Sequence, residues 1–269
     1  VDEKTLTDLM ETMISALFQK VIGVSLPVPF PRLSYEESMS KYGSDRPDLR
    51  NPLKIIDVSS LVVSSGFKVF AGPASEKNGR VAAIRVPNAI GIPRSQIDGY
   101  TELVGRYGAK GLAYIKVNDI EKGLEGLQSP ILKFLSDQIV KSILQNLEAK
   151  SGDLIFFGAG DKKVVNESLG VLRSKLGEDL GLMEELWRPC WVEDFPLFEK
   201  NEAGSWTPLH HPFTASYQDV ETIAQDPGKA ISRAYDLVLN GSEIGGGSIR
   251  VDDPTTQLAM FQMIGIDEV

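Results

Sequence analysis

The chain has 269 residues, of which 42% are hydrophobic and 24% are charged, a composition typical of globular proteins. No apolar run is long enough for a membrane span. The net charge of −9 argues against a broad basic surface for nucleic acid, so any RNA contact is expected to be local or to lie on another part of a longer protein. A single cysteine and two histidines exclude an internal disulfide and a Cys/His metal site, and they suit a reducing cytoplasmic location.

The first fifty residues predict two helices and a linker. Apolar residues recur at helical spacing over residues 5–21, and Gly23 ends the pattern. A stiff connector with prolines at both ends follows at residues 27–31, and a second short helix is predicted over residues 35–41. Residues 42–50, with the sequence YGSDRPDLR, are rich in turn formers and predict a linker.

A new unit is predicted from about residue 53 to residue 180. Its candidate strands are residues 67–71, 80–86, 112–117 and 154–157, and its candidate helices are residues 95–107, 136–150 and 162–176. The glycines of Gly158-Ala159-Gly160 are expected to end the last strand. Strands that alternate with helices favour a compact α/β or α+β domain.

The last third predicts a hairpin followed by a helix. Residues 191–195 and 235–239 are candidate strands, and Asn240-Gly241 is a strong signal for a two-residue hairpin turn. Asp253-Pro254 is typical of an N-cap followed by a proline at the first helical position. This helix is predicted to run to about Ile264.

The predicted hairpin brings two carboxylates together. A two-residue turn places Val238 opposite Glu243, and Asp236 shares a face with Val238 because side chains alternate along a strand. Asp236 and Glu243 are therefore expected to be diagonal neighbours, roughly 7–8 Å apart at their backbones. Carboxylates at this spacing suit Mg²⁺ bound together with substrate phosphates. The alternative is a solvated hairpin face that happens to carry two acids.

The residues after the turn extend this constellation. Three glycines at residues 245–247 are typical of a bulge or of close approach by a ligand; a flexible linker is disfavoured because the apolar pattern resumes at once. Arg250 suits a bidentate grip on a carboxylate, although an isolated arginine is more often a surface charge. In the tetrad His210-His211-Pro212-Phe213, either histidine can donate to an anion or be bonded locally.

Four segments together resemble bacterial-type aspartyl-tRNA synthetases, which are class II enzymes: residues 42–50, residues 107–113 (YGAKGLA), residues 210–213 (HHPF) and residues 236–250. The middle of the chain resembles the GAD domain that is inserted in their catalytic core. The resemblance implies an α+β fold, with a GAD-type inserted domain and part of a class II antiparallel-sheet catalytic core.

The resemblance also implies a domain organisation and a rival interpretation. Residues 1–52 would be a core segment, residues 53–180 the GAD-like domain, and residues 181–269 a core segment with the active-site hairpin. A related GAD domain occurs in tRNA-dependent amidotransferase subunits, so the alternative is a non-catalytic RNA-facing or assembly module of an amidotransferase-like protein. The HHPF tetrad and residues 245–250 are similar to the synthetase and not to the amidotransferase.

The activity that the resemblance implies is ligation of aspartate to tRNA through an aspartyl-adenylate, with ATP as substrate and Mg²⁺ as cofactor. Asp236 and Glu243 match family acids that face ATP and its Mg²⁺. His210 and Arg250 match residues that contact aspartate. The expected pocket lining comes from the same segments: His211, Gly245, Gly246, Gly247 and Ser248. No residue is predicted to act as a general acid, a general base or a nucleophile.

Several parts of the family pattern are not found in this sequence. These are the anticodon-binding barrel, the dimer element called motif 1, the Arg-Asp-Glu sequence of motif 2 and the Gly-Leu-Asp-Arg sequence of motif 3. The chain also starts with Val1 and not with methionine. We therefore expect an internal piece of a homodimeric parent enzyme, inactive by itself.

Overall fold

The protein is described by a computed structural model, which places residues 2–201 and 203–266. Contacts divide the chain into two units. Unit 1 comprises Val1–Ser38, Asp45–Leu49 and Leu186–Val269, and unit 2 comprises Met39–Ser44 and Arg50–Glu185. Each unit therefore combines segments that are distant in the sequence.

Helices and strands are distributed over the whole chain. The helices are α1 (Glu3–Ile22), α2 (Tyr35–Tyr42), α3 (Ser59–Val62), α4 (Lys68–Ser75), α5 (Arg94–Gly105), α6 (Asp137–Asn146), α7 (Lys162–Asp179), α8 (Val220–Gln225) and α9 (Pro254–Met263). The strands are β1 (Arg32–Ser34), β2 (Ile55–Asp57), β3 (Gly79–Val86), β4 (Ala113–Val117), β5 (Leu127–Gln128), β6 (Leu154–Asp161), β7 (Pro189–Glu193), β8 (Phe198–Lys200), β9 (Trp206–Pro208), β10 (Ala234–Leu239) and β11 (Ser242–Ser248). None of the described helices is both long and apolar enough to cross a membrane.

The main sheet of unit 1 has the strand order β1-β7-β10-β11. Strand β10 pairs antiparallel with both β7 and β11. Strand β1, which the sequence did not predict, pairs parallel with β7. A parallel pair needs a long crossover, and here all of unit 2 lies between the two strands in the sequence. The expected antiparallel sheet is therefore mixed at one edge.

Helix α1 covers one face of this sheet, and the predicted helix over residues 5–21 is confirmed. Asp2 caps it by accepting a hydrogen bond from the Thr5 amide, and Gly23 ends it in the left-handed conformation at φ 70°. Four α1 side chains at helical spacing pack on the sheet: Leu6, Met10, Ile14 and Phe18. Their partners include Tyr235 and Leu237 of β10. Because side chains alternate along β10, this packing directs Asp236 to the opposite face.

Unit 2 contains an antiparallel sheet with the order β2-β3-β6-β4-β5. Side chains of β3 alternate between two cores: Val81 and Ala83 pack in one, and Ala82 and Ile84 in the other. Helices α4 and α6 contribute to the first core, and α5 and α7 to the second. A sheet covered on both faces explains why β3 and β6 are almost continuously apolar.

Two predictions for unit 2 were wrong. Residues 67–71 were predicted as a strand, but α4 begins at Lys68, and its spacing buries Phe70 while leaving Val69 58% exposed. The glycines after residue 157 were expected to end a strand, but β6 continues to Asp161 because β3 pairs with it throughout. At Gly158 a Cβ would lie 3.0 Å from Leu169, so this glycine allows close packing by α7.

A buried arginine anchors the start of unit 2. Arg173 of α7 is only 2% exposed, and it donates to the Leu53 carbonyl at 2.6 Å and to the Asn51 carbonyl at 2.7 Å. The Asn51 amide returns a bond to the Arg173 carbonyl at 2.8 Å. The carbonyl groups of Asn51 and Leu53 therefore both accept from one buried guanidinium.

We expect Arg173→Met to lower the free energy of unfolding by about 2–3 kcal/mol, because two buried carbonyls lose a charged donor. Urea denaturation measures this change. The control is Lys175→Met on the same helix, where the side chain is 47% exposed and a surface ion pair is worth about 0–1 kcal/mol. Equal losses in the two variants would contradict the assignment.

Candidate functional site

The predicted hairpin turn is confirmed. Asn240 and Gly241 have φ values of 52° and 83°, as the favoured two-residue turn requires. The Asn240 side chain also accepts from the Arg188 amide at 2.9 Å and donates to the Leu186 carbonyl at 3.2 Å. Next to the turn, Val238 lies opposite Glu243 as expected.

Farther from the turn, the register differs from the prediction. Val238 pairs with Glu243, but Leu237 pairs with Gly245, so Ile244 is an extra residue that forms a β-bulge. Asp236 therefore lies opposite Gly246. The prediction that Asp236 and Glu243 are diagonal neighbours is wrong. It assumed a regular antiparallel ladder, and the extra residue Ile244 shifts the pairing of Asp236 by one position. The bulge itself agrees with the disruption expected near the glycine run.

A cavity of about 220 Å³ lies beside this hairpin. Its lining residues are His210, His211, Asp236, Glu243, Gly246, Gly247, Ser248 and Arg250. Both carboxylates thus face one cavity, together with both histidines and the arginine. Gly245, which was also expected to line the pocket, does not. Its partner across the ladder is Leu237, whose side chain packs toward α1, so Gly245 belongs to the other face.

Asp236 is held at the floor of the cavity. The residue is 7% exposed and lies on a strand with neighbours on both sides. A Cβ placed on Gly246 would overlap Asp236 Oδ1, so the carboxylate occupies the space that a side chain there would fill. His210 Nε2 is 3.7 Å from Asp236 Oδ2, and its ring packs edge-on against Phe195 at 4.6 Å. His210 is thereby oriented toward the carboxylate.

Arg250 is held at the other side of the cavity. Its Nη1 donates to Ser248 Oγ at 2.7 Å and to His211 Nδ1 at 2.9 Å. Phe213 was not assigned to the site from the sequence. The His211 ring stacks on the Phe213 ring with the two centroids 4.3 Å apart, and the Arg250 guanidinium lies 5.4 Å from the Phe213 centroid. Backbone bonds from Ala215 N to Ile249 O at 2.8 Å and from Val251 N to Phe213 O at 3.0 Å hold the two segments together.

The contacts of His211 define its protonation state. An arginine nitrogen can only donate, so its contact with Nδ1 at 2.9 Å favours the tautomer that carries the ring proton on Nε2. Thr214 Oγ1 lies 3.0 Å from the same Nδ1. Partial burial lowers the pKa of His211 below its usual value, and the charges of Arg250 and His210 lower that pKa further. The neutral ring is therefore the form that this cluster favours at neutral pH.

Glu243 is more exposed than Asp236. Its side chain is 40% exposed, and Arg46 Nε lies 4.0 Å from its Oε2. Arg46 comes from the turn-rich segment 42–50, which was predicted as a linker and which resembles the synthetase family, but no local pattern linked Arg46 to the hairpin. The described residues contain no group of three or more His, Cys, Asp or Glu side chains arranged around a metal ion. Two carboxylates on one cavity nevertheless fit Mg²⁺, which takes one or two protein ligands and completes its shell with water and phosphate.

Cys190 does not contribute a nucleophile. It lies in β7 with its side chain fully buried, and burial raises the pKa of its thiol to about 12. A thiol with this pKa stays protonated at neutral pH and is unreactive. The fixed side chains of the cavity can bind a ligand and neutralise its charge.

Comparison with protein families gives one match over the whole chain. The family model described as tRNA synthetases class II (D, K and N) matches residues 1–269. The letters denote aspartate, lysine and asparagine, the amino acids that these enzymes attach to tRNA. The match covers the hairpin, the HHPF tetrad and unit 2 alike. The chain therefore belongs to the class II tRNA synthetase family for aspartate, lysine and asparagine, whose members are aminoacyl-tRNA ligases that use ATP.

Proposed function

We propose that this chain is part of an aspartate–tRNA ligase. The α-carboxylate of aspartate would attack the α-phosphate of ATP, giving aspartyl-adenylate and pyrophosphate. The adenylate would then acylate the terminal ribose of tRNA. No covalent enzyme intermediate is needed. The protein's contribution is to position the reactants and neutralise charge, and the charged groups of the cavity support this role.

The positive charge of Arg250 is the observation that favours aspartate over lysine and asparagine. A lysine side chain would bring an ammonium group toward a guanidinium, which is repulsive. An asparagine amide is neutral and forms weaker bonds than a carboxylate does with an arginine. An aspartate side chain can accept two bonds from the guanidinium, and its charge is neutralised.

The remaining residues of the cavity would divide the other tasks. His210 lines the cavity 3.7 Å from Asp236, where it can donate to bound aspartate. Asp236 and Glu243 would hold Mg²⁺, which when bound would neutralise phosphate charge on ATP. Gly246 and Gly247 leave the floor open for substrate, and His211 and Ser248 complete the wall next to Arg250.

We also propose identities for the larger parts of the chain. Residues 53–180 would be the GAD-type inserted domain, and residues 1–52 and 181–269 would be the flanking segments of the catalytic core. The parent enzyme would be a cytoplasmic homodimer that binds tRNA. The family match extends through all three segments, which favours a synthetase over a non-catalytic amidotransferase-like module.

The test is amino-acid-dependent ATP–pyrophosphate exchange by the intact protein that carries this sequence, with aspartate, asparagine or lysine at equal concentrations. We expect exchange with aspartate to exceed exchange with either of the others by at least about 100-fold in kcat/KM, because a site that bonds a charged group rejects analogues without it. Preference for lysine or asparagine would overturn the proposal while leaving the family assignment intact.

A further inference from the structure

Arg250 is held by two side chains that accept hydrogen bonds from its guanidinium. The residue is exposed, and an exposed arginine ordinarily samples many rotamers. Here its Nη1 makes two bonds, to Ser248 Oγ and His211 Nδ1, and its plane lies near the Phe213 ring. Ser248 Oγ also lies 3.5 Å from His211 Nε2, and the direction of the His211 lone pair is fixed by the ring that stacks on Phe213.

We propose that His211 is a positioning residue for substrate selection: its unprotonated Nδ1 holds Arg250 Nη1, so that the rest of the guanidinium is aimed at the substrate carboxylate. This inference rests on the proposed function, because it takes the substrate to be a dicarboxylic amino acid. His211 acts through Arg250 and need not touch the substrate.

The surroundings of His211 are consistent with this role. The titratable groups that act on the ring are Arg250 and His210, while Asp236 and Glu243 line the same cavity. Thr214 Oγ1, at 3.0 Å from Nδ1, supports the ring from the segment that pairs with Ile249 and Val251. Protonation of Nδ1 would set a donor against the arginine donor, and the bond that holds Arg250 would be lost.

Two variants separate the acceptor from the ring. His211→Phe keeps an aromatic ring to stack on Phe213 and removes the acceptor. His211→Asn keeps an acceptor oxygen near the Nδ1 position and removes the ring. We expect His211→Phe to raise KM for aspartate roughly tenfold, as loss of a bond to a charged group does, with KM for ATP changed less than about twofold. His211→Asn should recover most of the lost affinity for aspartate, and this affinity should persist at acidic pH, where protonation of His211 weakens it in the natural protein.

A merely structural role predicts a different pattern. It would make His211→Asn at least as damaging as His211→Phe, or it would raise the KM values for aspartate and ATP together. Either result overturns the proposal. Thermal unfolding of both variants shows whether a general loss of folding contributes.

The proposal also has a readout that needs no substrate. At pH 7 the nitrogen chemical shifts of His211 should show Nδ1 unprotonated and Nε2 protonated, and Arg250→Met should raise the His211 pKa because a neighbouring positive charge is removed. His211→Asn assigns the signal by removing it. A proton on Nδ1, or a His211 pKa unchanged in Arg250→Met, overturns the positioning role. Failure of the natural protein to use aspartate would instead overturn the proposed function, and the nitrogen shifts would still decide the role of His211.

Discussion

Gly246→Ala is expected to reduce aspartate-dependent ATP–pyrophosphate exchange by about 100-fold or more. The added Cβ would overlap Asp236 Oδ1 and would also lie 3.3 Å from the Tyr235 carbonyl oxygen. Asp236 is buried in a central strand, so its carboxylate can give way only by turning from the position that it has beside His210. A displacement of about 1 Å in a catalytic site can cost on the order of 100-fold in rate.

Gly245→Ala provides a control in the same strand. A Cβ on Gly245 meets nothing within 4 Å, and this glycine does not line the cavity. The two variants make the same chemical change at neighbouring positions, but only one of them moves Asp236. We expect the control to change exchange by about twofold or less, as surface substitutions usually do. Equal losses of exchange activity in the two variants would show that the glycine run is needed for strand flexibility, and that displacement of Asp236 does not explain the effect.

The elements that the sequence predicted well are those with local signals. Helix α1 combines a regular apolar face with a cap at each end, and helix α9 begins at the predicted Asp253-Pro254, where Asp253 accepts from the Thr256 amide. The hairpin turn depends on two adjacent residues that both accept positive φ. In each case the information that determines the structure lies within a few residues of the element itself.

The elements that were missed depend on distant partners. Strand β1 has only three residues and is a strand because β7 lies beside it. Strand β6 extends through two glycines because β3 continues to pair with it. Residues 67–71 show a different limit of prediction from sequence. A short apolar run is compatible with the alternating pattern of a strand and with helical spacing, and here the packing of Phe70 in the core favours the helix.

The candidate site shows the same division. The two histidines of the HHPF tetrad, the hairpin acids and Arg250 were identified from the sequence and line one cavity. The bulge at Ile244 was not placed, because register depends on the packing of both strands. The contribution of Arg46 was not predicted either, since nothing in segment 42–50 indicates that it reaches Glu243. Residue types were therefore predictable, whereas their exact pairing required the fold.

Arg250→Ala in the intact enzyme is expected to raise KM for aspartate by about 100-fold while changing KM for ATP by no more than about threefold. A bidentate arginine–carboxylate contact comprises two charge-assisted hydrogen bonds, each worth about 1.5–3 kcal/mol. At the lower limit the pair is worth about 3 kcal/mol, which corresponds to roughly 100-fold or slightly more. Selectivity should fall as well, because asparagine gains less from the guanidinium than aspartate does. The ratio of kcat/KM for aspartate over asparagine measures this loss.

Two further variants show whether the loss comes from geometry or from charge. Arg250→Lys keeps the positive charge but cannot form the bidentate contact, so we expect a smaller rise in KM together with a clear loss of selectivity. Arg94→Ala removes an exposed arginine of unit 2, whose side chain is 72% exposed, and should leave both KM values unchanged. If Arg250→Lys behaves like the natural protein, charge alone is sufficient and the planar grip on the carboxylate is not needed. If Arg250→Ala leaves aspartate kinetics unchanged, the carboxylate is recognised elsewhere, and the choice of aspartate over lysine and asparagine loses its main support.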